Sequence, residues 1–302
     1  FITGSSGFKG SWLTFWLIKL GANVCGYSLS DTVNNLLFNR LKIKNNSEQI
    51  FADIRNYETL KKSINKFKPE IIVHMAAQSI VRESFENPIY TFETNIIGTA
   101  NLLEISKELS SIKSILVITS DKCYENIEKN ISYKETDKMG GHDPYSASKG
   151  CAELIAASYH RSFFYDSYDV SLATARAGNV IGGGDWATDR LIPDFVRALQ
   201  NESAIEIRYP NSLRPWQYVL EPLRGYLMLA EKQYQNKKNF SLRVGNIENQ
   251  RDFLHVDDVV NALDTIKIKG TPGKSYIISS NKLTKIKEII EIMKKISKNN
   301  FS

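Results

Sequence analysis

The sequence predicts an α/β fold: a doubly wound parallel sheet with a smaller C-terminal α/β portion. Short apolar runs alternate with amphipathic stretches through the first half of the chain, the β-α-β-α order of a parallel sheet covered by helices on both faces. A glycine-rich turn, Gly4-Ser5-Ser6-Gly7-Phe8-Lys9-Gly10, separates the first apolar run from the first amphipathic one. A Tyr-x-x-x-Lys pair, Tyr145 and Lys149, opens a long helical stretch after the fifth run.

Phe1-Ile2-Thr3 reads as the first strand, and Trp12, Leu13, Trp16, Leu17 and Leu20 recur behind the glycine turn at helical spacing. Gly21 ends that helix, because glycine takes φ > 0 without steric cost. Residues 23–28 form the second strand, 35–41 a helix in a polar stretch, and 49–52 a short strand ending at Asp53. Residues 57–67 form an amphipathic helix stopped by Pro69. The apolar run 70–74 is of the kind buried in a parallel sheet. A long helix over 88–109 and a buried strand over 115–120 follow, then a helix over 145–164 and a strand at 171–175. Beyond it lie loops rich in Gly, Asp and Pro, where substrate contacts collect. The expected boundaries are 1–175 for a dinucleotide-binding domain and 176–302 for a substrate-binding portion, with 241–302 an atypical tail.

Composition narrows the function classes. The chain has 302 residues, with 39 Lys plus Arg against 33 Asp plus Glu for a net charge of +6. A hydrophobic share of 42% and a charged share of 24% are those of a soluble globular protein, not a disordered one. No apolar run approaches the roughly 18 residues of a membrane span, and Phe1 opens into a glycine turn rather than a signal peptide. A cytoplasmic protein without a membrane partner is expected. Cys25, Cys123 and Cys151 are too scattered for a disulfide framework or a metal site. The pI near 9.0 raises nucleic acid as a partner. Much of the excess charge is solvated Lys in 61–68 and 282–298, so no nucleic-acid partner is expected. No initiator Met precedes the three-residue first strand, as in a fragment or a processed chain.

The glycine turn sits between strand and helix, the context a dinucleotide fingerprint needs. Gly4, Gly7 and Gly10 allow a tight turn, with Phe8 inside it, and the helix N-terminus presents free N–H groups to a pyrophosphate. Asp53-Ile54 ends the third strand, where a carboxylate can accept from an adenine amino group. Ala76 and Ala77, after the fourth strand, let the backbone approach the cofactor. At the end of the second strand stands Ser28-Leu29-Ser30-Asp31, with no adjacent Arg for the phosphate of NADP, so NAD is favoured.

Tyr145 and Lys149, at i and i+4, share one helix face. An ammonium beside a phenol lowers the phenol's pKa, so that it can act as a base near neutral pH. Directly after the fifth strand stand Ser120, a hydroxyl to hold a reacting oxygen, and Asp121-Lys122, a carboxyl group and an amine that a simple dehydrogenase does not need.

With these strings the chain over 1–235 resembles the nucleotide-sugar 4,6-dehydratase group of the extended short-chain dehydrogenases/reductases, a Rossmann-type fold. The resemblance rests on 4–13, on Gln78-Ser79-Ile80-Val81-Arg82-Glu83-Ser84, and on Thr119-Ser120-Asp121-Lys122-Cys123-Tyr124-Glu125-Asn126. Gly140-Gly141-His142-Asp143-Pro144-Tyr145, Ala177-Gly178-Asn179-Val180-Ile181-Gly182-Gly183-Gly184-Asp185-Trp186 and Arg214-Pro215-Trp216-Gln217 complete it. Within that group Lys122 resembles the branch acting on CDP-glucose, since the dTDP-glucose and GDP-mannose branches usually carry Glu there. The resemblance implies NAD as a recycled cofactor and a sugar nucleotide, CDP-glucose or a relative, as substrate. It implies Tyr145, Lys149 and Ser120 at the 4-hydroxyl, Lys122 as base at C5 and Asp121 as acid at the C6 hydroxyl. An amine must be neutral to serve as a base, which desolvation can bring about. Substrate contacts are expected from Gln78, Arg82, Asn179, Arg190, Leu191 and Arg214. A guanidinium fork suits pyrophosphate because it donates two parallel hydrogen bonds. The group also implies a homodimer or dimer of dimers pairing through the helices near 90–109 and 145–164. Two other readings stay open on the same residues: a 4-keto reductase or 4-epimerase, and an inactive nucleotide-binding fold.

Past residue 240 the resemblance changes. Ile205–Arg208 leads to Arg214-Pro215-Trp216-Gln217-Tyr218-Val219 and a helix; Leu242–Asn246 leads to Arg251-Asp252-Phe253-Leu254-His255-Val256 and another. One strand–Arg–aromatic–Val–helix unit thus occurs twice. The second copy, with a strand at 276–280 and a helix at 286–296, resembles the C-terminal segment of GDP-4-keto-6-deoxymannose reductases. A chimera, a misassembled reading frame and a tolerated duplication each account for it. Arg214 is preferred to Arg251 for the phosphate, being continuous with the matching portion.

Overall fold

The structure is a computed structural model that describes residues 1–29, 36–125, 133–165, 170–204, 207, 215–235, 250–252 and 283–285. The chain divides into two compact units, Phe1–Lys238 and Asn239–Ser302.

The first unit is built on a six-stranded sheet of order β3-β2-β1-β4-β5-β6, every pair parallel. Its strands are β1 (Ile2–Thr3), β2 (Cys25–Ser28), β3 (Glu48–Phe51), β4 (Ile71–His74), β5 (Ser114–Ile118) and β6 (Ser171–Ala175). Between them run α1 (Phe8–Lys19), α2 (Leu36–Arg40), α3 (Tyr57–Phe67), α4 (Val81–Glu86), α5 (Pro88–Phe92), α6 (Gly98–Ser106) and α7 (Pro144–Tyr159). Strand boundaries fall within two residues of those expected.

Period-two alternation divides the core between the two faces of the sheet. In β5, Ile115 and Val117 join Leu60, Ile64, Leu102 and Leu103 under α3 and α6. Leu116 and Ile118 face the other way, with Leu13 of α1 and Val219 and Leu223. Leu116 is fully buried, so truncation to Ala costs about 2–5 kcal/mol.

The long helix expected over 88–109 is α5, a π-helical turn at Glu93–Ile97, and α6, with right-handed helical backbone at each junction. Gly98 permits the close approach there, since a Cβ would lie 2.7 Å from Ile54 Cγ2. The helix expected over 145–164 likewise ends in a π-helical turn at His160–Phe164.

The helix expected after Val219 is present, and the stretch between β6 and that helix is more regular than expected. β7 (Asn179–Ile181) pairs in parallel with β8 (Trp216–Tyr218), with α8 (Leu191–Gln200) before β8 and α9 (Leu220–Gln235) after it. Leu191-Ile192-Pro193, expected as loop, is the first turn of α8; proline is tolerated there because its missing N–H would have no helical partner. On α9, Gln233 Nε2 donates to the carbonyls of Ile115 and Ser171 at 3.3 and 3.1 Å, pinning the helix across β5 and β6.

In the second unit β9 (Gln250–Asp252) and β10 (Leu283–Lys285) pair antiparallel, with Arg251 opposite Thr284. The strands expected at 242–246 and 276–280, the helix at 286–296, and Asp31 and Arg214 lie outside the described residues.

Candidate active site

The strand order reverses beside β1, which places a crevice beyond the carboxyl ends of β1 and β4. A cleft of about 1070 Å³ occupies this position. All the residues expected to hold the cofactor line it, from Gly4 to Ala77, as do Ser120, Asp121, Lys122, Tyr145 and Lys149.

The three fingerprint glycines do different work. Gly4 has φ +72°, and a Cβ there would lie 2.8 Å from Ala76 N. A Cβ on Gly10 would lie 2.0 Å from Gly4 O, so only glycine lets α1 start against the turn. Gly7 is extended and caps α1 without a side-chain hydrogen bond, and a Cβ there would meet nothing nearer than 3.4 Å. The first N–H groups of α1 therefore face the cleft uncapped, which suits a pyrophosphate.

Behind this turn Thr3 Oγ1 accepts from the N–H groups of Met75 and Ala76, each at 3.1 Å, and meets His74 Nδ1 at 2.7 Å. Thr99 donates its hydroxyl to Asn95 O, so it must accept from His74 Nε2, 3.0 Å away. His74 is thus the Nε2–H tautomer, and its Nδ1 accepts from Thr3. Burial, then the charge of Lys149, lowers its pKa to about 3, and the ring stays neutral. These bonds fix the loop carrying Ala76 and Ala77.

At the far rim, Arg55 forks onto Asp53 at 2.8–3.1 Å and reaches Glu93 Oε2 at 2.8 Å. The hydrogen bonds from Arg55 hold the Asp53 carboxyl below the usual range, so it remains an acceptor. Thr94, which the sequence reading missed, also lines the cleft. Its hydroxyl is buried without a partner in the structure, as expected of a group awaiting a ligand. The only signal is the π-helical turn that carries it, a feature frequent at functional sites, and hydrophobic spacing does not reveal one.

The catalytic candidates converge on the middle of the cleft. Ser120 caps a 3₁₀ turn, Asp121–Cys123, accepting from Lys122 N at 3.2 Å and donating to Asp121 Oδ1 at 3.0 Å. Lys122 Nζ lies 5.8 Å from the centroid of the Tyr145 ring. Asp143 caps α7 by accepting from Ser146 N at 2.9 Å, with Pro144 in the first turn. That start sets Tyr145 and Lys149 on the cleft face. Lys149 Nζ donates to Ile118 O at 3.1 Å.

The expected phenol shift is reversed. Burial pushes the Tyr145 phenol up by more than the hydrogen bond with Ser120 and the charge of Arg190 lower it. Burial and the nearby charge of Lys9 also bring Lys149 down to about 7. The ammonium expected to favour the phenolate is therefore only partly charged near neutral pH.

Of the expected substrate residues, Arg82, Asn179, Arg190 and Leu191 all line the cleft. Arg190 binds Asp185 at 3.0 and 3.1 Å and Ser79 Oγ at 2.9 Å. Arg82 binds Asp189 at 3.2 Å. Gln78, expected to meet substrate, turns inward, because its Nε2 donates to Ile80 O and Thr91 Oγ1 at 3.0 Å each. Among the described residues no cluster of His, Cys, Asp or Glu could hold a metal ion, and no helix is long and apolar enough to cross a membrane.

A sheet of this order, with a glycine fingerprint at its switch point and Ser, Tyr and Lys on one cleft, defines an extended short-chain dehydrogenase/reductase. The chain belongs to the GDP-mannose 4,6 dehydratase family, which matches it over residues 1–241 and 227–301. Each matched stretch contains one copy of the Arg–aromatic–Val unit. The chain is 52% identical over 245 residues to a CDP-glucose 4,6-dehydratase of Salmonella typhimurium, covering 80% of this chain and 68% of that protein. Among solved structures it is similar to a UDP-glucose 4-epimerase of Thermotoga maritima with UDP-glucose, at TM-score 0.66 and 20% identity, covering 100% and 83% of the two chains. A dTDP-glucose 4,6-dehydratase of Bacillus anthracis in complex with NAD aligns at TM-score 0.58 and 24% identity, covering 98% and 79%.

Proposed function

We propose that the chain converts CDP-glucose to CDP-4-keto-6-deoxyglucose, with NAD as a cofactor recycled in every turnover. The observation that carries this reading is Asp121-Lys122 on its capped turn beside Tyr145: an acid and an amine in addition to the dehydrogenase set. The CDP preference follows the 52% identical relative.

Bound NAD supplies a transient acceptor for hydride. The uncapped start of α1 at Gly7 would bind its pyrophosphate and Asp53 its adenine end, and the Ala76-Ala77 backbone would leave room for its approach. Tyr145 takes the proton of the 4-hydroxyl, with Ser120 holding the oxygen and Lys149, in its charged form, favouring the phenolate. The 4-ketone acidifies the C5 proton, which Lys122 removes. Asp121 protonates the C6 hydroxyl, which leaves as water. The hydride from C4 ends at C6 and a proton returns to C5 from Lys122, so the net loss is the proton of the 4-hydroxyl and the hydroxide of C6, together one water. Asn179, Arg190 and Arg82 hold the substrate's phosphates, and Leu191 borders its base. A phosphate must compete with Asp185 and Asp189 for the two guanidinium groups.

The enzyme acts in the cytoplasm as a homodimer or dimer of dimers and supplies deoxysugars for surface polysaccharide. Ile97, Leu154 and Phe163, exposed on the two long helical runs, suit contact with a second copy. Sedimentation analysis tests the assembly, with an Ile97→Glu variant expected to sediment as monomer. Residues 241–302 repeat part of a related substrate-binding segment, and Arg214 rather than Arg251 serves the substrate.

Incubation with NAD and each of CDP-, dTDP-, GDP- and UDP-glucose, followed by mass spectrometry, tests the activity. Loss of one water from CDP-glucose with no net reduction of NAD is expected. Net consumption of reduced cofactor with a 4-keto sugar would identify a reductase instead, and an unchanged mass with inverted C4 an epimerase.

A further inference from the structure

The segment from Ser120 to Cys123 is gripped at both ends by one buried ion pair. Ahead of it, Thr119 Oγ1 donates to Glu153 Oε1. Behind it, the Tyr124 hydroxyl accepts from Arg176 Nη1 at 2.8 Å. Arg176 forks onto Glu153, Nε to Oε1 at 3.0 Å and Nη2 to Oε2 at 2.9 Å, and Thr174 Oγ1 donates to Oε2 at 2.8 Å. The Glu153 side chain is 4% exposed and that of Arg176 14%.

Glu153 lies one helical turn beyond Lys149 and two beyond Tyr145, on the same face of α7. Arg176 follows β6 directly. The pair therefore joins the helix of Tyr145 to the turn of Asp121 and Lys122. Burial would push the Glu153 carboxyl up, but the hydrogen bonds from Arg176, Thr119 and Thr174 outweigh it and hold it below the usual range. Both partners stay charged. Buried ion pairs are a poor source of stability, so what this one supplies is placement.

Tyr145 and Lys149 are held by their own helix and by the bond from Lys149 to Ile118. Asp121 and Lys122 stand on a three-residue turn. Its backbone bonds, from Asp121 N to Ala177 O at 3.2 Å and from Gly140 N to Cys123 O at 2.9 Å, leave its side chains to be aimed by the grip at its two ends. A misplacement of about 1 Å can cost about a hundredfold in rate.

We propose that Glu153 and Arg176, acting through Thr119 and Tyr124, are positioning residues that set Asp121 and Lys122 against Tyr145, and so govern elimination of water more than oxidation at C4. The kinetic consequence rests on the dehydratase reading above; the grip itself does not.

Tyr124→Phe removes only the hydroxyl and keeps the ring that stacks on Tyr133 at 4.8 Å. In ligand-free protein, hydrogen exchange across 121–124 is expected to quicken about tenfold, the worth of one bond to a charged group, while 144–159 is unchanged. Thr174→Val, which removes a Glu153 bond not attached to the turn, is the control and should leave that exchange alone. In turnover, Tyr124→Phe should lower kcat about tenfold with KM unchanged, raise the isotope effect of C5-deuterated substrate and suppress that of C4-deuterated substrate. Unaltered exchange in the turn overturns the grip, whatever the protein converts. A loss confined to KM, or isotope effects that rise together, overturns the positioning role. Should the wild-type protein dehydrate no sugar nucleotide, the dehydratase reading fails and the exchange result still judges the grip.

Discussion

Lys149 Nζ lies 3.1 Å from the carbonyl oxygen of Ile118, a hydrogen bond that ties α7 to the last residue of β5. Tyr145 and Ser120 therefore keep one spacing, because the helix carrying the phenol is moored two residues before the serine. The same bond occupies an amine whose pKa burial and Lys9 have brought to about 7.

Removing the phenolic hydroxyl tests that arrangement. Tyr145→Phe is expected to fold normally and to lose about 10²–10⁴-fold in kcat, the usual worth of a positioned proton acceptor. NAD affinity should stay within a factor of about three, less than the loss of one hydrogen bond. Parallel turnover assays and NAD titrations check this.

The fingerprint glycines should separate folding from binding. Gly10→Ala forces a Cβ to 2.0 Å from Gly4 O and is expected to abolish the folded protein or lower its melting temperature by many degrees. Gly7→Ala meets nothing nearer than 3.4 Å, so melting should be nearly unchanged. Its methyl group intrudes on the uncapped start of α1, and NAD should bind about tenfold more weakly, as for one lost charge-assisted bond. Thermal melts with and without NAD distinguish the two.

His74 gives the stability a pH slope of known sign. Its folded pKa, about 3, is below its ordinary 6.5, so between those values the unfolded chain binds the extra proton. Stability therefore falls as pH drops through this window, by up to about 1.4 kcal/mol per pH unit from this group. Urea unfolding of the wild type and His74→Gln between pH 6.5 and 5 should show a slope smaller by about one proton in the variant. Equal slopes would mean that His74 is protonated in the folded state.

The Arg82–Asp189 pair is a surface contact, with side chains 62% and 29% exposed. Arg82→Ala should change stability by less than about 0.5 kcal/mol. If Arg82 meets the substrate's phosphates, KM should rise about tenfold with kcat unchanged, and added salt should narrow the difference.

Much of this arrangement was legible in the sequence, and the exceptions have physical causes. Apolar runs such as 115–118 and the spacing of Gly4, Gly7 and Gly10 specify the sheet and the cofactor end, because both depend on neighbours in sequence. Helix α4 is too short, at six residues, to display a period, and Pro193 disguised the first turn of α8. The i, i+4 spacing placed Tyr145 and Lys149 on one face, but the direction of the phenol shift depends on burial, which spacing does not encode. The inward turn of Gln78, the unpartnered hydroxyl of Thr94 and the meeting of Glu153 with Arg176 arise from contacts between elements far apart in the chain.

The fate of the C4 hydrogen tests the central claim most directly. CDP-glucose deuterated at C4 should yield a 4-keto-6-deoxy product carrying that deuterium at C6, with one water lost and no net reduction of NAD. Deuterium released to solvent, deuterium left in free reduced cofactor, or recovery of the substrate or its C4 epimer without loss of water would contradict the dehydratase account.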